Sequence, residues 1–196
     1  MLIELLLDHL WLALGLWTCV YLADYYLTLA GARLYAQGVN RVIVFEGSYE
    51  LNPVFQQDID SRRRLSYRFF AILGVICLLI AFVWRGVWLR WFPPGVFRFW
   101  MGSLLLIELA VLMRHLRNIV TFRQILRAAD IAGQIRYSRW WVLRSSALDL
   151  GLFAGLFVVL ASIAEPWFFL GGALACASTA LRHLRYSQRL RTQSPG

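Results

Sequence analysis

A chain of 196 residues that is 60% apolar and 15% aromatic is too hydrophobic for an ordinary soluble domain, whose apolar share is about 45–50%. Its length leaves no room for a separate soluble module beside a membrane region. The net charge of +9 comes entirely from arginine, gathered at the ends of apolar stretches, where retention on one membrane face accounts for it and no nucleic-acid partner is expected.

In chain order, five stretches are apolar enough to cross a bilayer: about Leu10–Ala32, Phe69–Leu89, Phe99–Met113, Trp140–Ala164 and Pro166–Leu181. A helix rises about 1.5 Å per residue, so about 20 such residues span a ~30 Å hydrocarbon core. The third and fifth reach that length with their aromatic and arginine flanks. The pattern predicts an all-α polytopic membrane protein, one transmembrane domain over 1–196, with cytoplasmic connections 33–68 and 114–139. Glu4 and Asp8 precede the first span without a basic residue, so that helix is expected to remain rather than be cleaved as a signal peptide. Pro93-Pro94-Gly95 cannot continue a helix and predicts a turn over Trp91–Phe97.

Charge sets the orientation. The first connection carries Arg33, Arg41, Arg62, Arg63, Arg64 and Arg68, and the second carries Arg114, Arg117, Arg123, Arg127, Arg136 and Arg139. The C-terminus adds Arg182, Arg185, Arg189 and Arg191, while the opposite side holds only Arg85, Arg90 and Arg98. Basic loops mark the cytoplasmic face, so the N-terminus is expected outside and the C-terminus inside, in a bacterial inner membrane. After Arg117, the apolar residues Ile119, Phe122, Leu126 and Ala129 recur at helical spacing until Gly133. That spacing predicts an amphipathic helix lying on the membrane surface or against a partner.

Two helix ends share a sequence. Arg114-His115-Leu116-Arg117 closes the third span and Arg182-His183-Leu184-Arg185 the fifth; Arg68-Phe69-Phe70 and Arg139-Trp140-Trp141 open the second and fourth. Spans two–three and four–five are therefore read as parallel copies. Arg114, Arg117, Arg182 and Arg185 are expected to contact anionic lipid of the cytoplasmic leaflet, each adding about 1 kcal/mol near such a surface.

The candidate site is acidic. A carboxylate at a helix centre costs about 2.5–3.5 kcal/mol on insertion scales, and such groups face the bundle interior. Asp24 and Asp149 each lie ~13 Å from the inner ends of their helices, with Glu108 somewhat shallower. Asp24 and Thr28 share a helix face, and Ser145 and Ser146 lie one turn before Asp149. Structural neutralisation is the competing reading, with Arg144 opposite Asp149 and Arg114 opposite Glu108. Asn52-Pro53 predicts a helix start, but capping alone leaves Glu50 unexplained. The pattern Asp24-x-x-x-Thr28 followed by Glu50-x-Asn52-Pro53 resembles a signature on the first helical hairpin of small uncharacterised bacterial integral membrane proteins. The resemblance covers residues 24–53 and implies no activity.

Asp24, Thr28, Glu50, Asn52, Glu108 and Asp149 are thus expected around one polar space that suits a hard cation or a proton path. The leading expectation is a small oligomeric channel or transporter for a cation or proton. Alternatives are a non-catalytic subunit of a larger membrane complex and a membrane enzyme acting on lipid. Catalysis is not the leading expectation, because no Gly-x-Ser-x-Gly, His-Glu-x-x-His or phosphate loop is present. Cys19, Cys77 and Cys176 lack disulfide or zinc spacing. His9, His115 and His183 are read as boundary residues. No cofactor is expected, and any metal is left open.

Overall fold

The chain is mostly helical in a computed structural model that describes residues 2–47, 50–128 and 131–193. The elements are α1 (Leu2–Asp8), α2 (Leu10–Ala36), a single turn at Val39–Arg41, β1 (Ile43–Phe45), α3 (Gln56–Asp60), α4 (Tyr67–Trp88), α5 (Pro94–Arg127), β2 (Ile135–Tyr137), α6 (Arg139–Ile163) and α7 (Pro166–Gln193). Four of them, α2, α4, α5 and α6, are long and apolar enough to cross a membrane. The fifth expected span lies in α7, a helix of 28 residues that is not among the four. Its apolar run is short, is built largely of Gly, Ala, Ser and Thr, and gives way to Arg182.

Ser66 caps α4, its Oγ accepting from Phe69 N at 3.2 Å. The same hydroxyl donates to Asp58 Oδ2 at 2.5 Å. Asp58 is itself buried and lies 3.5 Å from Arg63. Tyr25 of α2 donates to the Arg63 carbonyl at 2.8 Å, so the first connection is fastened back onto the bundle. The proline turn occupies 89–93 rather than Trp91–Phe97, because Pro94 takes the first helical position, where its missing N–H costs no hydrogen bond.

From there α5 runs unbroken for 34 residues, about 51 Å at the usual rise. The expected third span and the expected surface helix are one element, with Ile119 and Phe122 buried and Ala129 outside the described residues. The connections hold more than helix and loop. β1 and β2 form a parallel two-stranded ribbon pairing Ile43 with Ile135 and Phe45 with Tyr137, which ties the two connections together at one end of the bundle, the ribbon end. Their β-branched and aromatic residues suit a strand.

A glycine seam joins α5 to α7. A Cβ on Gly102 would lie 1.8 Å from the Phe168 carbonyl oxygen, and one on Gly171 would lie 2.0 Å from that of Phe99. The two backbones touch where only glycine fits, the usual device for helix association in lipid. α7 also packs extensively on α6, whereas α4 meets both α2 and α5 only sparingly. Tyr21 and Phe69 stack at 4.6 Å between α2 and α4. Opposite the ribbon end, Arg98 joins Glu4 at 2.7 Å to Glu165 at 3.3 Å, and Trp84 Nε1 donates to the Leu7 carbonyl at 2.7 Å, holding α1 across the bundle. Val75, Leu78 and Phe82 of α4, with Leu152 and Val159 of α6, are exposed, a surface suited to hydrocarbon rather than water.

Gly102→Val is expected to separate α5 from α7. The loss should sit at the top of the ~1–3 kcal/mol range for overpacking or beyond it, because the clashing atom is backbone and cannot rotate away. Gly151→Ala, with nothing within 4 Å of its Cβ, should be neutral or slightly stabilising. Thermal unfolding of both variants in the same detergent checks the contrast; equal behaviour would refute the seam.

Candidate functional site

Asp24 and Thr28 stand on one face of α2 because four residues bring a helix back to the same side. The Thr28 hydroxyl donates to the Asp24 carbonyl at 2.9 Å. Facing them from α5 is His115, whose Nε2 lies 3.1 Å from Thr28 Oγ1 and 3.2 Å from Asp24 Oδ1. Thr28 has one hydroxyl proton and gives it to the carbonyl, so His115 Nε2–H is the donor to Thr28. The Asp24 carboxylate lies beside the same nitrogen without hydrogen-bond alignment. His115 is 7% exposed, and its Nδ1 is buried with no hydrogen-bond partner among the described residues. That tautomer makes Nδ1 a free acceptor on a buried ring.

Glu50 reaches this group from the first connection. Its carbonyl accepts from Gln56 Nε2 at 3.0 Å, and its Oε1 accepts from the Asn52 backbone N–H at 2.6 Å. Asn52 Oδ1 accepts from Val54 N at 3.1 Å. Asn52 therefore shapes a turn; it does not start a helix, since α3 begins later, at Gln56. It is exposed and contributes to the site through its backbone N–H. Burial pushes the Glu50 carboxyl above its ordinary value, opposed by the Asn52 N–H and by the charges of His115 and Arg114, while Asp24 adds to the rise.

Asp149 has a different partner from the one the neutralisation reading gives it, and Glu108 a different depth. Asp149 pairs with Arg117 at 3.0 Å, not with Arg144. Arg114 Nη1 donates to Ser146 Oγ, which also lies 3.1 Å from His183 Nδ1. Glu108 stays within electrostatic reach of Asp24 and Arg114. It lies about two turns of α5 beyond His115, further from the ribbon end, so it is the deeper residue and not the shallower one.

A cavity of about 250 Å³ unites these groups: Glu50, Arg114, His115, Arg117, Ser146 and Asp149 line it, with Phe45, Tyr137 and Trp141 as aromatic wall. Asp24 and Thr28 stand behind His115. Glu108 and Asn52 are not on the wall. Of the four arginines expected at lipid, Arg114 and Arg117 line the cavity, whereas Arg182 and Arg185 are exposed on α7. Among the described residues no group of three or more His, Cys, Asp and Glu side chains is arranged to hold a metal ion. No known protein family, curated protein or solved structure matches the chain.

Sequence reasoning missed His115, Ser146 as a shared partner, and His183. A third span that ends at Met113 makes His115 a boundary residue. The available signal was its spacing from Glu108, about two turns on, which places both on one face of a helix that continues.

Glu50 yields a pH prediction. Its carboxyl is raised in the folded protein, so any stability it confers as the neutral acid is present at low pH and lost as pH rises through the folded value. Infrared difference spectra of wild type against Glu50→Gln should show a carboxylic-acid band that persists above pH 4.5 and is missing in the variant. A Glu50 band titrating at the ordinary value would contradict its burial.

Proposed function

We propose that this chain is a multi-pass protein of a bacterial inner membrane that binds the anionic phosphate headgroup of a cytoplasmic-leaflet lipid. His115 and Asp24 serve as a proton-transfer pair beneath that headgroup. One observation carries the reading: a single cavity has Arg114 and Arg117 in its wall beside His115. Guanidinium groups offer fixed, paired donors to phosphate oxygens, and an imidazole can both give and accept a proton.

The reading takes α7 as a fifth span, with the N-terminus outside and the C-terminus inside. The arginine asymmetry supports that orientation and puts the ribbon end, and hence the cavity mouth, on the cytoplasmic side. The Asp-x-x-x-Thr and Glu-x-Asn-Pro resemblance fits as well, since three of its acidic and hydroxyl residues gather at His115. A duplication behind the two Arg-His-Leu-Arg ends is supported by His115 and His183 each meeting a hydroxyl on a neighbouring helix, Thr28 and Ser146. The sparse packing of α4 on α5 does not add to it.

A second reading, cation or proton transfer by a small homo-oligomer, is favoured by Glu108, which extends the acids Glu50 and Asp24 deeper into the bundle. It ranks second because the large side chains of Trp17, Phe97 and Met101 are fully buried beyond Glu108 among the described residues.

Native mass spectrometry of the purified protein should show preferential retention of phosphatidic acid or phosphatidylglycerol over phosphatidylcholine. Arg114→Gln with Arg117→Gln should lower that preference at least tenfold, as two guanidiniums at about 1 kcal/mol each imply. Retention unchanged in the double variant would refute the proposal. Proton flux in proteoliposomes that is lost in Asp24→Asn would put the second reading first.

A further inference from the structure

Helices α5 and α6 scarcely touch each other, because α7 packs behind both and holds them apart. The gap is a second cavity, about 340 Å³, lined by Ala110, Met113, Leu152, Phe153 and Leu156. Met113, Leu152 and Leu156 are exposed, so the slot opens sideways onto the bundle surface. It shares Arg114, Arg117 and Asp149 with the polar cavity, so these residues form the partition between a charged chamber and an apolar one.

We propose that the slot holds an acyl chain of the same lipid whose phosphate occupies the arginine cavity. The lipid then comes sideways from the bilayer and passes the Arg117–Asp149 pair. This rests on the headgroup reading above and adds the substrate class, a phosphate-bearing acyl lipid rather than a soluble phosphate, together with its route.

The direction of the slot carries the argument. α5 runs toward the ribbon end and α6 runs away from it. Ala110 on α5 and Leu156 on α6 therefore both lie beyond the Arg117–Asp149 level, toward the middle of the bundle, by ~10 Å at the usual rise. A lipid with its phosphate at Arg114 and Arg117 directs its chain along that line. A soluble anion has no use for an apolar slot on the far side of its ligands. Charge complementarity supplies the latch: Arg117 is largely exposed and joined to Asp149 by one contact of 3.0 Å. An arriving phosphate replaces one anionic partner of Arg117 with another, so opening the partition strands no guanidinium.

The test uses the full chain in nanodiscs of phosphatidylcholine doped with phosphatidic acid carrying a mid-chain diazirine, with the adducts mapped by mass spectrometry. Adducts should concentrate on Met113, Leu152, Phe153 and Leu156, and excess unlabelled phosphatidic acid should reduce them at least tenfold. Inorganic phosphate should not. Leu152→Trp, at an exposed position that does not threaten folding, should fill the slot and lower the adducts by a similar factor. Adducts spread evenly over Leu78, Phe82 and Val159 would overturn the slot, as would full competition by inorganic phosphate or indifference to Leu152→Trp. The headgroup reading fails separately, through unchanged anionic-lipid retention in the double arginine variant.

Discussion

A carboxylate and an imidazole inside an apolar bundle must be satisfied by one another or by a ligand, because hydrocarbon offers neither water nor counter-ions. Asp24 and His115 meet that constraint only in part: they approach to 3.2 Å across α2 and α5 without a hydrogen bond between them, and Thr28 Oγ1 accepts from the imidazole N–H. The rest of the ribbon end is arranged around this contact. It fixes the register of α2 on α5 and requires α5 to continue as helix past Met113. It also leaves one ring nitrogen of His115 buried without a protein partner among the described residues. The site is incomplete at that atom, and the cavity lies against the same side chain.

The glycine seam decides what shape the site takes. With Gly102 and Gly171 bringing α5 and α7 to backbone contact, and α7 also packed on α6, there is no space for α5 and α6 to close on each other. The slot is the consequence of α7 being thin along one edge. The ribbon has the complementary effect at the cavity mouth. By joining β1 to β2 it brings Phe45 and Tyr137 into the cavity wall, where Glu50 also lies beside the arginines. Helix association that needs small residues thus produces the apolar chamber, and loop pairing that needs β-branched and aromatic residues shapes the polar one.

Elements governed by local periodicity were legible in the sequence: the four apolar helices, the proline turn and the inward-facing Asp24 with Thr28. The recruitment of Glu50 was legible too, because a capping role left that residue without a purpose. Long-range choices were not. Arg117 and Arg144 are equally plausible partners for Asp149 until the rotation of α6 against α5 is known, and that rotation is set by α7. The parallel ribbon joins segments far apart in the chain, and three-residue strands carry almost no periodic signal. His115 was lost because an Arg-His-Leu-Arg run reads as a membrane boundary when helices are assumed to stop there. The glycine seam was hidden for the opposite reason, since glycine in an apolar run has no intrinsic sign of closeness.

The central claim is a polar site reached from one face only and closed on the other by packed aromatic and aliphatic side chains. Accessibility tests it directly. With Cys19, Cys77 and Cys176 replaced, single cysteines at Ser145, on the cavity wall, and at Ser103, inside the glycine seam, are exposed to a charged, membrane-impermeant thiol reagent. Vesicles of each orientation are compared. The account predicts rapid labelling of Ser145→Cys from the cytoplasmic face alone and none of Ser103→Cys from either. Labelling of Ser145→Cys from the outer face, or of Ser103→Cys from both, would mean a continuous aqueous path and contradict it.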